Sequence, residues 1–415
     1  MSKHKKKVNQ LKSQKIALAH NRNEFISHLK QFCDKVTGNP EIFKHIPAAD
    51  IDMLFETRLR SPKIRRAPNN KVPSAVLKYC QEMMMSSIKY QTFDFGIGRL
   101  DKITMHEYFS IAYTLTAYAG RNPEPTYVAY KEVKSALQPL VVIMNSELNN
   151  EIWKKYNDIV GSTIMLFNNL DTGMYATKDD YNTDLGYICY NSDIYSMQTE
   201  KIDIVVDGKK RPAHRVGWIG WKIPDLFIDY VSVKSEALGL IAGLNLEVYI
   251  QNHALDRLFE RMDGINTGIL HLAVFNSLKN IKTCRNKKGE LLIEYHFFGN
   301  KTGYFRAQVA DGRLLLLTFL FLTNNGTPEG ERLHQNTGIM KEDKIYLTID
   351  KISSFIDSDI ANDPRVKKMF TDAGCESLFK VHKWAYFAEE NNNRQLSELV
   401  SNYLSLDKEN KAASS

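Results

Sequence analysis

A histidine and two arginines recur at intervals of four in NHALDRLFERMDGINTG, residues 252–268: His253, Arg257 and Arg261. On a helix each such step advances about 40°, so the three side chains fall within about 80° on one face. Imidazole titrates near neutrality and can move a proton, while guanidinium keeps its charge and forks onto two oxygens of an anion. Ala254, Leu255, Leu258, Phe259 and Met262 form the adjoining apolar side, so the basic stripe borders the buried face. A merely solvated face would favour an acid three or four residues from each arginine. Arg257 has Glu260; Arg261 has no acid at that spacing. The spacing alone leaves two readings: a basic amphipathic face without catalytic meaning, or a site completed by an anion from elsewhere, either a protein carboxylate or a phosphate.

The neighbouring elements must position this stripe. A second helical stretch, TGILHLAVFNSLKN, follows, with Asn266 or Thr267 as its N-cap. LLIEYHFF, YFRAQV and LLLLTFLFLT, separated by GNKTG and ADG, then predict an antiparallel meander over residues 289–323. With this order of elements, HALDRLFERMDGI resembles the HAxxRxxxR pattern in the first helix of toxin-like domains of the RelE, barnase, colicin D and EndoU ribonuclease superfamily. The resemblance covers about 100 of the 415 residues. It implies metal-independent cleavage of RNA, in which the ribose 2′-hydroxyl attacks the adjacent phosphate, with His253, Arg257 and Arg261 at the positions of the helix histidine and arginines. That reaction needs one group to take the 2′ proton, one to protonate the leaving 5′ oxygen, and cations around the crowded phosphorane.

By the same resemblance the sheet faces this helix and supplies further groups. Tyr304 and Arg306 share one side of their strand, as positions i and i+2 must, and Thr318 interrupts a leucine-rich strand. His334, in TPEGERLHQNTG, is read as a loop histidine able to serve as the second proton-transfer group. The plainer alternatives are a surface charge for Arg306 and a buried, backbone-satisfied hydroxyl for Thr318. His271 and His296 read as core or strand-face residues. Residues 248–313 carry ten Lys or Arg against six Asp or Glu, a local excess that suits a nucleic-acid substrate.

At 415 residues the chain calls for more than one core, and 43% apolar with 25% charged residues places it among globular proteins. Residues 1–71 hold sixteen Lys or Arg against six Asp or Glu, so the net charge of +7 is N-terminal in origin. These basic clusters read either as a solvated tail and linker or as a surface for phosphates. Five scattered cysteines without CxxC spacing predict a reducing compartment, and the longest apolar run, residues 314–322, is too short to span a bilayer. A cytoplasmic location follows as the expectation. The sequence has no HExxH, no calcium loop, no GxxxxGK[ST] and no GxSxG, so no metal site and no cofactor is expected, and FGIGRL fails the dinucleotide fingerprint.

The expected architecture is a multidomain α+β chain: a basic tail at 1–15 and an all-α domain at 16–175, then a strand-rich segment and ribonuclease-like module at 176–345 with its core at 246–340, and C-terminal helices with a tail at 346–415. Met and aromatic stripes in the helical half read as core packing. The expected function is an endoribonuclease toxin acting on RNA, in a toxin–antitoxin or phage-defence setting, held in check by an antitoxin or inhibitory partner. The alternatives are a non-catalytic nucleic-acid-binding protein using the same basic face, or an assembly protein docking an acidic partner.

Overall fold

The computed structural model describes residues 3–59, 62–120, 128–145, 147–182, 189–206, 208–222, 225–241, 243–381 and 396–413. Their structure is mixed α+β. The chain divides into two units, one of residues 1–164 and 177–195, the other of residues 165–176 and 196–415. No helix among the described residues is long and apolar enough to cross a membrane.

The first unit is mainly helical, with long helices at Lys3–Thr37, Ser74–Tyr90, Val128–Met144 and Glu147–Met165. The basic N-terminal segment, expected as a tail, is therefore the start of a long helix. Its core gathers Phe32, Met84, Phe95, Tyr108, Phe109 and Tyr156, all buried, with Trp153 tilted against the Phe109 ring at 5.1 Å between centroids. The expectation of an all-α domain is corrected here. Thr92–Ile97 and Leu100–Thr104 form an antiparallel hairpin in which Phe93, Phe95 and Ile97 alternate inward. That period of two runs from Phe93 into FGIGRL, where Gly98 adopts φ +59° and a Cβ would stand 2.3 Å from the Val36 carbonyl oxygen. A further strand, Lys63–Arg66, pairs in parallel with Cys189–Met197, a contact remote in sequence that local periodicity does not announce.

The second unit is built on one eight-stranded sheet. Its strands are β1 (Lys201–Val206), β2 (Lys209–Arg215), β3 (Ser232–Lys234), β4 (Asn245–Gln251), β5 (Thr283–Arg285), β6 (Leu291–Phe297), β7 (Asn300–Ala310) and β8 (Arg313–Phe321). Their order is β5-β6-β7-β8-β4-β2-β1, with β3 also paired to β4. The predicted meander is β6, β7 and β8. β8 then inserts beside β4 in parallel, Val248 opposite Leu314 and Ile250 opposite Leu316. Between them the chain forms helix α1 (Asn252–Arg261) and helix α2 (Thr267–Lys279). Asn266 is the N-cap of α2, its side chain accepting from Gly268 N at 2.9 Å.

The leucine run of β8 explains how the sheet is covered. Leu314 and Leu316 enter the large core with α1, α2 and the later helices, while Leu315 and Leu317 join Ile204, Ala213 and Tyr249 in a smaller cluster. Successive side chains point to opposite faces, so a continuous apolar run marks a strand buried on both. The C-terminal helices, α3 (Pro328–Thr337), α4 (Lys341–Tyr346), α5 (Ser353–Ile356), α6 (Pro364–Asp372) and α7 (Leu396–Ala413), follow, and Phe355, Phe370 and Val400 bury into the large core.

Candidate active site

Helix α1 begins directly at the end of β4 and lies along β8, burying Ala254, Leu255 and Leu258. Its far end is fixed by residues some ninety positions downstream. Ile352 N donates to the Arg261 carbonyl at 2.9 Å, and the Asp263 carboxylate accepts from Ser353 N at 3.1 Å and Ser353 Oγ at 2.9 Å. The apolar face thus sets the rotation of the helix, and the clamp sets its position along its axis.

The basic stripe opens onto a cleft of about 770 Å³. His253, Arg257 and Arg261 line it from α1, Arg306 from β7 and Thr318 from β8. A register shift between Arg306 and Ala307 skips Leu317 and sets Arg306 opposite Thr318. Five of the seven residues selected from the sequence therefore meet at one place.

Each arginine in the cleft has a carboxylate. Arg257 bonds Glu260 one turn on. Arg261, 13% exposed in its side chain, bonds the buried carboxylate of Asp350 and also lies 3.4 Å from Glu260. The anion that the sequence left missing beside Arg261 is thus a carboxylate from outside the motif. Arg306 Nη1 donates to Glu290 at 3.0 Å, and the Asn286 amide donates to the same carboxylate at 2.7 Å. The Asn286 bond and then the Arg306 bond hold Glu290 below the usual carboxylate pKa, against the opposing effect of burial. His253 is exposed and has no hydrogen-bonding or ionic partner among the described residues, so its imidazole is free to meet a ligand.

Two selected residues lie elsewhere. Tyr304 is buried, its hydroxyl bonded to Glu329 at 3.1 Å and to Lys301 at 3.0 Å. It shares Arg306's side of the strand, but α3, which carries Glu329, closes that part of the sheet. His334 sits in the last turn of α3, not in a loop, with its Nδ1–H donating to the Ile339 carbonyl at 3.0 Å. It does not line the cleft and is committed to ending the helix, so the role of second proton-transfer group falls away from it. His271 is core, as expected: its Nδ1 accepts from Leu170 N at 3.0 Å and burial pushes its pKa down to about 3.

The cleft also contains residues outside the motif reading. Lys287 and Lys288 come from the β5–β6 turn, Asn324 and Asn325 from the segment after β8, and Lys341 from the start of α4. The local basic excess pointed to the first two; nothing near Lys341 in sequence announces its place. Beneath Asn324 and Asn325 lies Lys344, 2% exposed, donating to the Thr323 carbonyl at 2.8 Å, the Gly330 carbonyl at 3.0 Å and the Asn325 side chain. Burial lowers its pKa to about 8. It pins the loop that forms one rim of the cleft.

Among the described residues no group of three or more His, Cys, Asp or Glu is placed to hold a metal ion. Comparison with protein-family models, with curated proteins and with solved structures returns no match.

Proposed function

We propose that the second unit is an endoribonuclease module that cleaves RNA by transfer of the 2′-hydroxyl proton and attack of the 2′ oxygen on the adjacent phosphorus. The observation that carries this reading is the convergence of His253, Arg257, Arg261, Arg306 and Thr318 on one cationic cleft. In the reaction the 2′-O–P bond forms, the P–O5′ bond breaks, the 2′ proton leaves to a base and the 5′ oxygen gains a proton. The products are a 2′,3′-cyclic phosphate and a 5′-hydroxyl. His253 is the proton-transfer group, being the imidazole that faces the cleft without a competing partner. The guanidinium groups of Arg257 and Arg306 offset the charge of the pentavalent phosphorane, and Arg261, held by Asp350, keeps the end of α1 in place. Thr318 offers a hydroxyl opposite Arg306 to a phosphate oxygen.

The resemblance of HALDRLFERMDGI to the toxin-like ribonucleases supports a metal-independent reaction and a regulated toxin of the cytoplasm, restrained by a partner. The deciding experiment incubates labelled RNA with the full chain in the presence and absence of chelator. Cleavage that survives chelator and is lost in His253→Ala supports the reading. Binding without cleavage by the wild type replaces it with a non-catalytic nucleic-acid-binding protein.

A further inference from the structure

The cations of the cleft are of two kinds. Arg257, Arg261 and Arg306 each hold a carboxylate, and Lys287 is bonded to Glu331 at 3.0 Å. Lys288 and Lys341 line the same cleft, are exposed, and form no salt bridge among the described residues; Lys288 only adds its field to that of Arg306 at Glu290. Pairing each bridged cation with its acid, Glu290 going to Arg306, leaves the net positive charge of the cleft on these two lysines. An approaching polyanion therefore finds on Lys288 and Lys341 cations that no salt bridge occupies, and must compete with a carboxylate to reach any arginine.

We propose that Lys288 and Lys341 are the phosphate-capture pair of this cleft, holding a phosphate of a single RNA strand that lies next to the phosphate reached by His253. This rests on the nuclease reading for the identity of the strand, but not for the charge argument. The two lysines stand on separate supports, the β5–β6 turn and the start of α4, so the pair is assembled only by the tertiary fold. Asn286, whose Oδ1 accepts from Lys288 N at 3.0 Å and Glu290 N at 3.0 Å, fixes the first of these supports. A cleft of about 770 Å³ has room for more than the one phosphate at which the reaction occurs. Capture by unpaired lysines and chemistry among buffered arginines are then separate tasks: the lysines are point charges that tolerate motion, and the arginines are held in geometry by their carboxylates.

The test measures binding of a fluorescent 2′-O-methyl RNA octamer, which lacks the attacking hydroxyl, to the full chain across a series of salt concentrations. Lys288→Gln with Lys341→Gln should weaken binding roughly tenfold and make the slope of log affinity against log salt shallower by about 0.7 for each lysine. Lys234→Gln, an exposed lysine outside the cleft, should change neither. Both lysines are on the surface, and thermal melting of the double variant checks that it folds as the wild type does. An unchanged slope and affinity in the double variant, or an equal loss in Lys234→Gln, overturns the proposal. If the wild type cuts RNA while the double variant binds the octamer normally, the nuclease reading stands and the capture pair falls. If binding depends on the pair but the wild type cuts no RNA, the pair stands and the nuclease reading falls.

Discussion

Arg261 and Asp350 are 89 positions apart and form the buried ion pair that holds the end of helix α1, both side chains largely shielded from solvent. A buried charge deprived of its partner keeps its desolvation cost and loses its compensation. Asp350→Asn should therefore destabilise the protein by about 3 kcal/mol, at the lower end for such pairs because Glu260 remains 3.4 Å from Arg261. Arg261→Met combined with Asp350→Leu should recover most of that loss. Denaturant titration of the three proteins checks this; a loss in Asp350→Asn of under about 1 kcal/mol would show that the pair does not hold the helix.

His253→Ala should leave stability within about 0.5 kcal/mol of the wild type, since the side chain is exposed and touches nothing the fold needs. Cleavage of RNA should fall by about a hundredfold or more, the usual contribution of a positioned proton-transfer group. A rate within threefold of the wild type in a single-turnover assay would remove His253 from the reaction.

The buried imidazole of His271 makes stability depend on acid. Its folded pKa of about 3 lies below the unfolded value of 6.5, so between those pH values the unfolded chain binds more protons than the folded one. Stability contributed by the neutral ring is full above pH 6.5 and is lost as pH falls towards 3, by at most about 1.4 kcal/mol per pH unit. His271→Gln should flatten the fall in denaturation midpoint between pH 6.5 and 4. Parallel curves for the two proteins would contradict the neutral assignment.

Gly330 is the third residue of α3, its N donating to the Thr327 hydroxyl at 3.0 Å. A Cβ there would stand 1.9 Å from the Asn324 carbonyl oxygen and 2.6 Å from that of Thr323. Both obstacles are backbone, so the loop itself must move. Gly330→Ala should cost about 1–3 kcal/mol and displace Asn324 and Asn325 from the rim of the cleft, seen as weaker binding of the octamer. Unaltered melting and binding would show that the loop yields freely.

The sequence carried much of this site and less of its surroundings. The stripe at 253, 257 and 261, the N-cap at Asn266 and the three-stranded meander were readable because each depends on residues within one or two elements. Tyr304 was misplaced because the period of two gives the side of a strand but not which stretch of that side a later helix covers. His334 was misread as lying in a loop after the sheet. Thr327 as N-cap, Pro328 in the first turn and Gly338 in the left-handed conformation are instead the start and stop signals of a helix. Asp350 and Lys341 reach the site only through the parallel insertion of β8 and the turns that follow it, and no local pattern encodes that distance. The hairpin at 92–104 was hidden in helical surroundings, although the alternation of Phe93, Phe95 and Ile97 was present to be read.

The insertion of β8 beside β4 also orders events during synthesis. His253, Arg257 and Arg261 leave the ribosome well before Thr318, Lys341 and Asp350, so a growing chain that already holds the basic stripe has neither the far wall of its cleft nor the carboxylate that anchors it. The pocket becomes complete only after Asp350 has been added to the growing chain.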